Sequence, residues 1–145
     1  MRSKLKLLKD SDNLFDGVCG HVNATKDEDR RFKRQRAVHG YADCDVWEMR
    51  YWFVKTLKPM LIELSKKTYN HPEEITFEEW QEILLCMADK LTYMDVFDDS
   101  AIREKLNIAP NDNSQQALVA IDAEMAKAKN EFFELFNKWF FHLWY

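Results

Sequence analysis

The sequence predicts an all-α protein, a compact helical bundle of three to four main helices with a long aromatic-rich C-terminal helix. Three observations carry this prediction. Three glycines and three prolines in 145 residues leave little material for hairpins or long ordered loops. Capping-box pairs, an N-cap Thr or Asp with Glu three residues later, mark helix starts at Thr25/Glu28, Asp45/Glu48 and Thr76/Glu79, the first before an arginine-rich run and the other two before apolar ones. In the last third, Leu118, Ile121, Met125, Ala128, Phe132, Leu135 and Trp139 follow one another at steps of three and four, which sets one stripe along a helix face.

Residues 1–24 read as an N-terminal arm or loop, with Lys and Leu alternating early and Gly17 and Gly20 further on. Residues 25–145 read as a single helical domain, long enough to bury a real core. Its first helix starts at Thr25, carries Asp27, Glu28 and Asp29 in the first turn, and closes at Gly40 in a left-handed cap. A second helix opens at Asp45 and buries Met49, Trp52, Phe53, Leu57, Met60, Leu61 and Leu64. Pro59, inside that run, removes a backbone donor and is expected to kink or split the helix near Lys58. After a polar turn over residues 66–75, a third helix runs from Thr76 to about Phe97 on a face made by Phe77, Trp80, Ile83, Leu84, Met87, Leu91 and Met94. Residues 101–108 form a short helix and Pro110 to Asn113 a loop. Residues 114–145 then form one final helix, roughly 48 Å long at about 1.5 Å per residue.

The formal charge of -4 is unevenly spread. Residues 1–40 hold ten Lys and Arg against six Asp and Glu, and the remainder holds eleven against nineteen. An anionic ligand therefore belongs near the N-terminal segment, and the acidic body argues against binding to extended nucleic acid. Three cysteines without close pairing, no apolar run of signal-peptide length and no window of about eighteen apolar residues lead to the expectation of a reduced cytoplasm and no membrane.

The order Gly40-Tyr41-x-Asp43-x-Asp45-x-Trp47, then Pro59, then Thr76-x-Glu78-Glu79-Trp80-x-Glu82-Ile83-Leu84, then Leu135-Phe136-x-Lys138-Trp139-Phe140-Phe141-x-Leu143-Trp144 resembles a group of small uncharacterised helical proteins encoded by bacteriophages. The likeness spans roughly residues 31–145. It implies a phage origin and the host bacterial cytoplasm, and brings no activity with it.

No catalytic residues, cofactor or metal site are expected. A Ser or Cys beside a His with oxyanion donors is missing, as are phosphate-cradling glycine loops and the Glu-x-x-His pairs of di-metal bundles. One pattern resembles the all-helical nucleotide pyrophosphatases, Glu79-x-x-Glu82 with Asp95-x-x-Asp98 in place of a Glu-x-x-Asp. On one continuous helix those two pairs stand roughly 20 Å apart, so a metal would need two subunits. His142, among aromatics, reads as a packed and satisfied histidine.

Binding remains. Cations for phosphate and flat side chains for stacking occur together in Arg30, Arg31, Lys33, Arg34, Arg36, Tyr41, Arg50, Tyr51 and Trp52. The leading expectation is a non-enzymatic counter-defence protein that sequesters an anionic nucleotide-type ligand. The alternative is an inhibitor that covers a host defence protein with its aromatic C-terminal helix, since Trp and Phe anchors dominate binding energy. Phe133, Phe136, Trp139, Phe140, Phe141, Trp144 and Tyr145 are too many rings for one helix face, which predicts a homo-oligomer with that helix in the interface.

Overall fold

The computed structural model describes residues 25–144. Among them the protein is all α with no strand. The helices are α1 Lys26–His39, α2 Asp43–Trp47, α3 Met49–Lys67, α4 Phe77–Thr92, α5 Ser100–Leu106 and α6 Gln115–Trp139, followed by a 3-10 turn, Phe140–His142. The expected arm at residues 1–24 lies outside the described residues, as does Tyr145. The chain divides into two compact units, Met1–Thr56 and Leu57–Tyr145.

In the first unit, α1 begins as its capping box dictates. Thr25 Oγ1 accepts from the Glu28 N–H, and Glu28 Oε2 accepts from the Thr25 N–H. It ends at Gly40, whose φ of 82° lets its N–H reach Arg36 O at 2.8 Å. A Cβ at Gly40 would meet nothing within 4 Å, so backbone conformation and not space selects glycine there. The next helix does not open at Asp45. Asp45 instead lies inside α2 and reaches back, its Oδ2 accepting from the Ala42 N–H at 2.7 Å. The Asp45/Glu48 capping box is therefore absent. Glu48, at φ -127° and ψ 57°, is the break between α2 and α3. Phe32, Ala42 and Cys44 form this unit's small core, with Trp47 edge-on to Phe32 at 6.1 Å between ring centroids.

Pro59 does not split α3, which runs unbroken from Met49 to Lys67. Its fixed φ suits a helix, and what is lost is one hydrogen bond.

In the second unit, Thr76 Oγ1 and Glu79 exchange the capping-box hydrogen bonds that start α4. The helix stops at Thr92, short of the expected Phe97. Tyr93 and Met94 bond back only three residues, to Lys90 O and Leu91 O, and the buried Asp95 accepts from the Phe97 N–H at 3.0 Å. That tightened turn uses the amides a longer helix would have needed. Trp80, Leu84, Met87 and Leu91 are fully buried, and α4 packs on α6 through its Ala128, Phe132 and Trp139. From Ile121 to Trp139 the stripe read from sequence is thus the face that α6 turns inward, whereas Leu118 at its start is exposed and Ala117 is buried instead. α6 itself ends at Trp139 and not at Tyr145, giving about 37 Å of helix. Trp139 sits on Trp80 with centroids 5.7 Å apart, and beyond it the chain tightens into the 3-10 turn.

Two polar contacts fix the second unit. Arg103, on α5, is 8% exposed and organises the connection to α6. Its Nε donates to both oxygens of Asp99 at 2.9 Å, its Nη1 to the Ala109 and Asp112 carbonyls at 3.0 and 2.7 Å, and its Nη2 reaches Asn113 Oδ1 at 3.4 Å. Lys90 of α4 pairs with Glu131 of α6 at 2.5 Å. That hydrogen bond, more than any other influence, holds Glu131 below the usual carboxylate range and lifts Lys90 above the usual lysine range.

Two tests follow from these contacts. Arg103→Met should destabilise the fold by about 2–4 kcal/mol in chemical denaturation, because the Asp99 carboxylate loses its partner and the Ala109 and Asp112 carbonyls each lose a donor. The Glu131 contribution is present above the ordinary carboxylate pKa and is lost as pH falls through its lowered value. Lys90 works the other way, its contribution being lost as pH rises through its raised value. Glu131→Gln should therefore lower the melting temperature slightly near neutrality, with the difference closing below about pH 4. An unchanged difference at low pH would mean that the pair contributes nothing.

Candidate binding surfaces

The nine residues read as one ligand site take different structural roles. Among the described residues, α1 meets α2 through one of its sides. At about 100° per residue, Phe32, Gln35 and Arg36 share that side, and all three engage α2 or its flanks. Arg36 makes a two-pronged contact with Asp45, Nε to Oδ2 at 2.9 Å and Nη2 to Oδ1 at 2.6 Å, and both side chains are almost fully enclosed. Gln35 and Asp43 exchange two further hydrogen bonds, at 2.9 and 3.0 Å. Arg36 is thus committed to holding the α1–α2 corner.

Arg30, Arg31, Lys33 and Arg34 occupy the opposite side of α1, and all four are exposed. Arg30 reaches Asp27 at 3.4 Å in a solvated pair, and Arg31 lies over the Phe32 ring at 5.0 Å. Neither contact holds its cation firmly. Arg50, exposed on α3, pairs with Glu48 at 3.2 Å.

The flat side chains gather elsewhere in the same unit. Tyr41 and Trp52, with Asp45, Val46 and Met49, line a mostly apolar cleft of about 340 Å³. It borders Asp45, the partner of Arg36, and none of the four exposed cations lines it. Tyr51 carries the Lys55 ammonium 5.3 Å from its ring centre. Trp52 Nε1 and Thr56 Oγ1, one helical turn apart, are buried without a hydrogen-bond partner, a pair that the apolar spacing of α3 concealed.

The aromatic residues expected at an interface divide into core and surface. Trp139 is 5% exposed and belongs to the core against Trp80. Phe136 is half-buried and stacks on the fully buried Phe132 at 5.4 Å with 22° between planes. Phe133, Phe140, Phe141 and Trp144 are exposed. Phe136, Phe140 and Phe141 form a chain of edge contacts, Phe136 to Phe140 and Phe140 to Phe141, each at 5.4 Å. His142 is packed, edge-on to Trp139 at 5.8 Å, but it is not satisfied, for its buried Nδ1 has no partner.

Three of the four acids of the pyrophosphatase-like pattern act on backbone, and the fourth, Glu82, is exposed. Glu79 caps α4, Asp95 accepts from Phe97 and Asp98 accepts from Ser100. They do not lie on one continuous helix, because α4 ends between the two pairs. Among the described residues, no three His, Cys, Asp or Glu side chains gather to hold a metal, and no helix is long and apolar enough to cross a membrane. No protein-family model, curated protein or solved structure matches this chain.

The division of the cations is directly testable. Arg36→Ala should cost about 3–5 kcal/mol, as expected when an enclosed carboxylate loses its partner. Arg34→Ala should stay within about 0.5 kcal/mol of the parent. Equal and small losses in urea titrations would overturn the assignment of Arg36 to the fold.

Proposed function

We propose that the protein is a non-enzymatic binder of an anionic, phosphate-bearing ligand of nucleotide type, held on the exposed basic face of α1. The phage resemblance suggests counter-defence, with sequestration as the mode of action. One observation carries this reading: Arg30, Arg31, Lys33 and Arg34 are exposed on one side of a helix whose other side is locked by Phe32, Gln35 and Arg36. A helix so fastened presents its cations without a further ordering cost to the backbone. Guanidinium groups suit phosphate oxygens because each offers a planar fork of donors.

Recognition in this reading is of phosphate first. The cleft with Tyr41 and Trp52 is lined by none of the four exposed cations, so the phosphate contacts on α1 carry the recognition.

Isothermal titration with a nucleoside triphosphate and with a cyclic dinucleotide would test the reading. Affinity should fall steeply as salt rises, and Arg34→Ala should weaken it about tenfold, the loss of one charge-assisted hydrogen bond. Arg30→Glu combined with Arg34→Glu should abolish it while leaving the helical circular dichroism signal intact. Binding that ignores salt and survives the double reversal would refute the assignment, as would no binding by the parent protein.

A further inference from the structure

In the Leu57–Tyr145 unit, Leu57, Met60 and Leu64 of α3, with Leu143 and Trp144 beyond the 3-10 turn, line an open apolar groove of about 420 Å³. Two residues before Leu143, Phe141 projects from the 3-10 turn and is 86% exposed. We propose that groove and ring are the two halves of a self-complementary surface, and that its occupant is a second copy of this chain. In a twofold dimer, Phe141 of each copy enters the groove of the other.

Three features favour a second copy over an unrelated partner. Ring and groove lie side by side on the same unit, and a twofold axis passing between them makes both contacts at once. A head-to-tail contact between distant patches would instead propagate into fibres. The exposed area is also of the right order. Phe140, Phe141 and Trp144 are 52%, 86% and 57% exposed. At about 200 Å² per aromatic side chain they present on the order of 400 Å², half of the roughly 800 Å² that each partner gives to a standard interface. Charge permits like to meet like. Residues 132–144 carry one acid, Glu134, and one base, Lys138. At the groove, Glu63 is already paired with Lys66 and Lys67 at 3.2 and 3.1 Å. An apolar centre with a compensated polar rim is what a stable interface requires.

The inference stands apart from the anion reading, which uses the first unit, and either can fail alone. The full chain should sediment at twice 17.4 kDa across micromolar concentrations. Phe141→Asp, which removes the ring, and Met60→Glu, which blocks the groove, should each weaken self-association about thirtyfold or more, as loss of an interface anchor does, with helicity unchanged. Mixing the two variants supplies the deciding measurement. The mixed dimer keeps one intact ring-in-groove contact where each variant dimer keeps none, so it should form at concentrations at which both variants alone are monomeric. A monomeric parent overturns the proposal. So does a dimer that tolerates both changes, or a mixture that stays monomeric. A monomer that instead retains a host polypeptide, lost on Phe141→Asp, would give the surface to a foreign partner.

Discussion

The second unit depends on the burial of Trp80 and Phe132, each with no exposed surface, where α4 meets α6. Two large rings enclosed in one small unit leave few ways for the helices to approach, since interiors tolerate neither voids nor overlap. Leu84, Met87 and Leu91 extend the seam along α4, and Ile121 and Ala128 extend it along α6. The Lys90–Glu131 pair lies across the same two helices and adds direction to a contact whose strength is apolar. Arg103 does a separate job. It converts an irregular connection into a fixed one by supplying donors to carbonyls that no helix satisfies.

The first unit is built on the opposite principle. Among its described residues Phe32, Ala42 and Cys44 form the buried cluster, and its corner is set by Arg36, Asp45, Gln35 and Asp43. A polar lock of this kind defines one geometry because the guanidinium fork and the carboxylate accept few relative orientations. The basic face of α1 stays exposed beside that lock, since Phe32, Gln35 and Arg36 all lie on the other side.

Most of the fold was legible because it obeys local rules. Thr25 with Glu28 and Thr76 with Glu79 start helices where the pattern places them, Gly40 ends one, and the stripe from Ile121 to Trp139 is the face that α6 buries. What misled were residues whose role is set by contacts across sequence. Asp45 has the spacing of an N-cap but serves a backbone amide behind it and Arg36 nine positions away. Asp95 looks like one more solvated helix acid, yet it is buried and turns the chain. Of the candidate site, exposure on α1 could be read from the spacing of its cations. The loss of Arg36 to the fold could not, because its partner is invisible until the corner is formed. Trp139 shows the same limit, its spacing fitting an interface as well as a core.

The change of pitch after Trp139 has a geometrical consequence. An α-helix advances about 100° per residue, and side chains three and four apart stay in register along one edge. The 3-10 turn over Phe140–His142 advances about 120°, so three consecutive rings fan out around the axis like the petals of a whorl. The helix thereby changes from a stripe that packs along its length to a crown of rings at its tip.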